Sequence, residues 1–385
     1  MRSYSHLNSA QQVLEQYRGE MPLAEWLRQF FRQHKKYGSK DRKIIAGLCY
    51  AYYRLGGAAK NLTVEEGLLT AIFLTTTNPH PVLAELRPEW NDAITQSLEE
   101  KLSLLQLPNG LEGLFPFSDE LSPAIDADAF TASLLIQPDL FLRLRPGHAA
   151  QVEGSLQAAG IPFTRIKDDC LALPNGTKTE ELIAIDRDAV VQDLSSQEVI
   201  NPYIQHSEKD PQTIWDCCAA SGGKSILFYD RYPRAELTVS DIRESIIANL
   251  RKRFERAGIT RYRSFLADLS SPSFKPPRTF DLVICDAPCS GSGTWGRTPE
   301  QLRFFKKEEI ERYAQLQRKI ARKAAAGVGA QGKLLYITCS VFKKENEDAV
   351  AWIEKETGLK ALSMDYFRGY HRRSDTLFAA LFSAL

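Results

Sequence analysis

At 385 residues, with 43% apolar and 25% charged side chains, the chain has an ordinary globular composition but more length than one hydrophobic core usually serves, so two or three domains are expected. Its net charge of +1 hides an uneven distribution: residues 1–60 hold eleven Lys/Arg against four acids, whereas residues 61–130 hold two against twelve. The basic segment suits contact with phosphate, although solvated helix surface explains it as well.

No basic segment followed by an apolar core opens the chain, and no apolar run reaches the roughly 18 residues of a membrane span. A soluble, unexported, cytoplasmic protein with no membrane partner is expected. Seven cysteines, two of them adjacent at 217 and 218, make a poor disulfide framework and fit a reducing compartment. Zinc is the competing use for Cys285, Cys289 and the Cys217/Cys218 pair. No Cys-x2-Cys pair exists and no histidine stands at ligand spacing, so no metal is expected.

In chain order, residues 9–60 read as helices, with Val13, Tyr17, Leu23, Trp26, Leu27, Phe30 and Phe31 recurring at three and four. Ser39 is a candidate N-cap for the helix that carries Ile44 to Tyr53. Helical patterning continues to about residue 106, broken by a loop at 77–81, and the stretch 107–125, rich in Pro, Gly and acids, reads as a connection. This predicts a helical domain over 1–135 without catalytic spacing. From Asp139 the pattern changes: 140–145 alternates as a strand, 149–160 reads as a helix closed by glycine, and strands follow at 163–166 and 170–173. A small α+β module over 136–189 is expected.

Residues 190–385 alternate apolar strands with helical patterns. Thr213 to Asp216 is a short strand followed by Cys217-Cys-Ala-Ala-Ser-Gly-Gly-Lys224, whose small residues let a ligand approach the backbone at a strand's carboxyl end. A phosphate-binding loop needs glycine where Cys218 stands, and this loop carries no Gly-x-Gly-x-x-Gly; what remains suits a nucleoside-like ligand that need not carry phosphate. The next strand ends in Asp241, 19 positions after Gly222, where acids reach ribose hydroxyls in doubly wound folds. Ile242, Ile246, Ile247, Leu250 and Phe254 give the following helix its buried stripe, and Arg251, Lys252, Arg253 and Arg256 on its outer face read as solvated surface.

Asp268 ends a third strand, and Asp281-Leu-Val-Ile-Cys-Asp286 forms a fourth that runs into Ala-Pro-Cys289-Ser-Gly-Ser-Gly293. Taken alone, this fourth stretch is equally well a buried strand with an ordinary turn and a core cysteine. Three aspartates on one rim after a glycine loop favour a shared ligand pocket. A basic helical stretch at 299–326 leads to a strand over 333–340 that ends in a second rim thiol, Cys339. Glu345 and Glu347 read as first-turn acids of the next helix, and 377–382 as a last apolar strand. Two rim thiols beside a nucleoside pocket, with Asp286 three positions before one of them, suggest thiol chemistry on a carbon centre.

Four motifs, Val191-Gln-Asp-Leu-Ser-Ser-Gln197, Asp216-Cys-Cys-Ala-Ala-Ser-Gly-Gly-Lys224, Asp286-Ala-Pro-Cys-Ser-Gly291, and Thr338-Cys-Ser340 with Glu345-Asn-Glu347, resemble the Sun-type family of RNA cytosine-5 methyltransferases over 190–350. More loosely, 140–185 looks like that family's RNA-recognition-like module and the N-terminal helices like its NusB-type RNA-binding domain. The resemblance implies an α/β fold in which a class I, Rossmann-like S-adenosylmethionine-dependent methyltransferase domain over 190–385 follows the two smaller domains. It implies S-adenosylmethionine as cofactor, held by Cys218, Ala219, Ala220, Ser221, Gly222, Gly223 and Lys224 together with Asp241, Asp268 and Asp286.

The resemblance also implies roles. Cys339 would attack C6 of cytosine, Cys289 would assist loss of the C5 proton and release, Asp286 would hydrogen-bond the ring, and Lys224 would offset negative charge nearby. The partner it implies is RNA, ribosomal first and transfer RNA as the alternative, bound by a monomer with the base out of its stack. The family has proline where Ser221 stands and an apolar residue where Trp215 stands, so loop rigidity is expected to differ. The competing readings are a catalytically silent RNA-binding assembly factor and a methyltransferase for protein or small molecules.

Overall fold

The computed structural model describes residues 2–106 and 113–384, so part of the expected connection, 107–112, lies outside the described residues. The chain separates into two compact units, one of residues 1–121, 126–137 and 294–307, the other of 122–125, 138–293 and 308–385. Among the described residues, no helix is long and apolar enough to cross a membrane.

The first unit is helical. Helices Leu23–Gln33, Ser39–Arg54 and Val64–Thr75 turn Leu27, Phe30, Ile45, Leu48 and Phe73 into one core, as their spacing dictates. Ser39 is the first residue of its helix rather than its cap. Gly38 takes the cap position, and the Asp41 carboxylate accepts the Gly38 N–H at 3.3 Å, which removes the need for a hydroxyl there. The segment 294–307 joins this unit, where the Glu300 carboxylate accepts the Leu23 N–H at 3.0 Å and buried Arg54 donates to the Gly296 carbonyl at 2.8 Å.

The second unit holds two sheets. Strands β1 (Leu140–Leu144), β2 (Thr164–Lys167), β3 (Cys170–Leu173) and β4 (Ala189–Val191) form an antiparallel sheet in the order β2-β3-β1-β4. Helix Ala149–Ala158 packs Val152 and Leu156 against Leu142, Leu144 and Leu171. The larger sheet contains β5 (Thr213–Asp216), β6 (Glu236–Asp241), β7 (Tyr262–Leu266), β8 (Phe280–Asp286), β9 (Val328–Thr338), β10 (Lys360–Arg368) and β11 (Thr376–Ser383). Their order is β10-β11-β9-β8-β5-β6-β7. Pairing is parallel from β9 through β8, β5 and β6 to β7, and β11 runs antiparallel between β9 and β10.

The central strands carry near-continuous apolar runs, Leu282 to Cys285 and Leu334 to Ile337, because both faces of a parallel sheet are covered. From β5 the chain steps outward to β6 and β7, then returns to the other side of β5 with β8. That reversal opens a crevice at the carboxyl ends of β5 and β8, where ligands bind in open α/β sheets. Two expected core residues move out of the buried stripe of helix Glu244–Arg256, which is Ile247, Leu250 and Phe254: Ile246 is half-buried, and Ile242 precedes the helix and stands 60% exposed.

Candidate active site

The chain leaves β5 into the loop 217–222, which is tied to β6 by backbone. Ala219 donates to the Ser240 carbonyl at 2.9 Å and Ala220 to the Asp241 carboxylate at 3.1 Å. Ala220 (φ +45°) and Gly222 (φ +84°) are both left-handed. At Gly222 a side chain would also place its first carbon 2.9 Å from the Phe254 ring, so only glycine fits. Helix Gly223–Arg231 then sets Lys224 in its first turn.

Asp216, which the sequence reading placed in the motif without a role, is buried at the end of β5. One of its carboxylate oxygens accepts the Ser225 hydroxyl at 2.6 Å, and the other, Oδ1, has no hydrogen-bond partner. Burial pushes the carboxyl up from 3.8 to about 7 against the pull of Ser225. The folded state therefore keeps a proton that the unfolded chain sheds, and this contribution to stability is full below pH 4 and lost as pH rises to about 7. Asp216→Asn is expected to flatten the fall in melting temperature across that window, removing a slope worth on the order of a few kcal/mol. Thermal unfolding of both proteins between pH 4 and 8 checks this; parallel curves would contradict it.

Asp241 is buried at the end of β6, and Asp286 is half-buried at the end of β8. Asp268 lies two residues past β7, exposed, where it accepts the N–H and hydroxyl of Ser270 at 2.9 and 2.6 Å in a turn. The crevice thus gathers Asp216, Asp241 and Asp286. Asp286 meets Lys224 at 2.6 Å, both partly shielded from solvent. Burial alone would depress the lysine, but the Asp286 carboxylate and, more weakly, Cys339 and Asp216 overcome it and hold Lys224 above the usual value.

The two rim thiols come together from β8 and β9, with Cys289 Sγ 3.3 Å from Cys339 Sγ. Their hydrogen bond and then burial push the Cys289 thiol well up, and either sulfur can be the donor. Gly293 allows the close approach: its N–H donates to the Cys339 carbonyl at 2.9 Å, and a side chain there would strike the Thr376 carbonyl.

Glu345 and Asn346 hold both thiol loops. The Glu345 carboxylate is buried and accepts the Ser290 N–H at 2.9 Å, Gln317 Nε2 at 2.9 Å and the Ser340 hydroxyl at 3.0 Å, the two serines being the residues that follow the two cysteines. Asn346 accepts the Thr338 hydroxyl at 2.6 Å and donates to the Ser340 carbonyl at 2.8 Å, bracketing Cys339. The first-turn capping expected of Glu345 is absent, because helix Glu347–Thr357 starts two residues later and the carboxylate turns inward. Burial raises Glu345 against those hydrogen bonds. Glu345→Gln turns an amide N–H2 toward donors; it is expected to cost about 2 kcal/mol of stability and to lower turnover by loosening both loops. An unchanged melting temperature with full turnover would contradict the bracing role.

Cys217, Cys218 and Cys285 bring their sulfurs within 4.8 Å of one another just below the loop. Cys217 and Cys285 are buried and Cys218 is half-buried.

The strand order with an antiparallel β11 slotted between β9 and β10, and a ligand crevice at the ends of β5 and β8, define the class I methyltransferase fold. Residues 204–371 match the sequence model of the family described as 16S rRNA methyltransferase RsmB/F. Among curated relatives, ribosomal RNA small subunit methyltransferase B of Xanthomonas campestris is 29% identical over 45% of this chain and 40% of its own length. The Sodalis glossinidius protein of the same description is 28% identical over 81% of each chain. The chain spans about half the length of the first curated relatives it matches. Among solved structures, PH0851 superposes with a TM-score of 0.72 at 19% identity over 98% of this chain and 97% of its own, a likeness of fold.

Proposed function

We propose that this protein methylates C5 of cytosine in RNA, ribosomal RNA first and transfer RNA as the alternative, with S-adenosylmethionine as methyl donor. The observation that carries the reading is the pair of sulfurs 3.3 Å apart beside a Lys224–Asp286 ion pair, at the switch point of a methyltransferase fold. The donor supplies an electrophilic methyl group when bound. The residues fit it. The unpartnered Asp216 Oδ1 suits an ammonium group, Asp241 suits ribose hydroxyls with Asp268 flanking it, and exposed Ile242 offers an apolar face for the adenine ring. The backbone of residues 218–224 lines the same side.

C5 of cytosine is a poor nucleophile until C6 is attacked. Cys339, as thiolate, forms a bond to C6, and the displaced electron pair makes C5 the nucleophile that takes the methyl group. Asp286 hydrogen-bonds the ring as it gains electron density, and Lys224 places a positive charge beside the attacking sulfur. The C5 proton then leaves to a base and the C6–S bond breaks, restoring the double bond and the Cys339 thiolate.

Cys289 is suited to that late step. What holds its proton is first the hydrogen bond to Cys339. Bond formation to carbon ends that hydrogen bond, while burial still acts on Cys289, which gives its own proton to solvent before it takes the C5 proton.

The test is to incubate the protein with S-adenosylmethionine and transcripts of ribosomal and transfer RNA, then identify the methylated nucleoside. 5-Methylcytidine is the expected product. RNA binding without any methylated nucleoside would favour the silent assembly factor, and methyl on another base or on protein would overturn the reading.

A further inference from the structure

The resemblance places proline at position 221, where this chain has serine, and the structure supplies another way to hold that residue. Arg253, expected on the solvated face of its helix, has a side chain only 17% exposed. Its Nη1 donates to both the carbonyl and the hydroxyl of Ser221 at 3.0 Å. Its Nε and Nη2 meet Asp186 Oδ1 at 2.9 and 2.6 Å. Arg256, one turn on, meets Asp186 Oδ2 through Nε at 3.1 Å and Nη2 at 2.7 Å.

Asp186 belongs to the connection between β3 and β4 of the four-stranded sheet. It is 1% exposed, adopts φ +73°, and donates its N–H to the Ala189 carbonyl at 2.8 Å. A carboxylate held by two guanidinium forks leaves neither arginine free to rotate. With two of its nitrogens fixed, the plane of Arg253 is set, and its remaining nitrogen points at the residue between left-handed Ala220 and Gly222. The Ala219 and Ala220 N–H groups are held from β6 and the Cys217 N–H from β8, at the Ile284 carbonyl, whereas the Ser221 oxygens are held by Arg253.

We propose that Arg253 is a positioning residue for the cofactor loop and that Asp186 aims it, so that the four-stranded sheet helps set the geometry in which the methyl donor is bound. The inference rests on the reading that loop 217–224 holds that donor. Hydrogen bonds do here what a proline ring does by covalent restraint, with one difference: they can be released. A partner that displaces the β3–β4 connection would loosen the donor site from a distance.

Three single variants of the full chain and one double variant test this. Asn tolerates left-handed backbone, so Asp186→Asn removes charge without straining the turn. Arg253→Gln removes the fork, and Arg253→Lys keeps the charge but lacks the fork geometry. Two readouts are taken: hydrogen exchange of the loop amides in protein without donor, and S-adenosylmethionine affinity by calorimetry. The expected result is faster exchange confined to 219–224 and about a tenfold weaker donor in each variant, with no further loss in Asp186→Asn/Arg253→Gln combined.

A lower melting temperature with unchanged loop exchange and unchanged affinity would overturn the proposal and leave the arginines as glue for their helix. Wild-type affinity in Arg253→Lys would overturn the fork argument. Should the wild type bind no S-adenosylmethionine while the variants still exchange faster at the loop, the positioning stands and the donor assignment falls.

Discussion

Cys339→Ala is expected to reduce methyl transfer by at least about a thousandfold while leaving the protein folded. The sulfur lies at the end of β9, braced by Asn346 on Thr338 and Ser340 and by the Gly293 N–H on its own carbonyl, none of which uses the thiol itself. On the proposed mechanism alanine therefore deletes the nucleophile and little else. Without a C6 adduct, C5 has no electron density to offer, and donor binding alone cannot compensate. Single-turnover transfer of a labelled methyl group, with the melting temperature as a control, reads the effect. Substantial residual transfer would move the nucleophile elsewhere.

Cys289→Ala is expected to produce the opposite kind of failure. On the proposed mechanism attack by Cys339 still proceeds, since Cys289 contributes only a hydrogen bond to it, but no base remains to take the C5 proton. RNA should accumulate as a covalent complex that survives denaturing electrophoresis, with one methyl group per adduct and multiple turnover lost by about a hundredfold or more. Removing Cys339 in the same chain should abolish the complex. A Cys289→Ala protein that turns over normally would assign proton removal to another group.

Much of this was legible because strand ends announce themselves. Apolar runs such as Leu282 to Cys285 can only be central strands of a covered sheet, and the glycine- and proline-bearing turns after Asp216 and Asp286 mark their carboxyl ends. Lys224, Asp286, Cys289 and Cys339 follow such ends and meet in one crevice. What was hidden depends on direction rather than composition. An acid before a helix reads as a cap, and nothing local shows that Glu345 turns inward to bind the residues after both cysteines. Arg253 and Arg256 look like surface because their partner, Asp186, is about seventy residues away in sequence.

Asp216 has no task legible in the sequence, since only the structure shows that one of its carboxylate oxygens is buried without a hydrogen-bond partner. Ile242 extends a helical stripe in sequence but sits before the helix begins, where the same apolar side chain is exposed instead of packed in the core. The segment 294–307 reads as part of the catalytic stretch, yet Glu300 caps the backbone of Leu23 in the helical unit. A pairing across more than 270 positions leaves no periodicity to detect.

The central claim is that Cys339 attacks C6 and Cys289 acts afterwards. RNA carrying 5-fluorocytosine tests it most directly, because fluorine at C5 cannot leave as a proton and the methylated adduct cannot resolve. Incubation with S-adenosylmethionine, digestion and mass spectrometry of the linked peptide are predicted to place the nucleotide, carrying one added methyl group, on Cys339. A nucleotide linked to Cys289, or no covalent complex from protein that methylates ordinary RNA, would contradict the account.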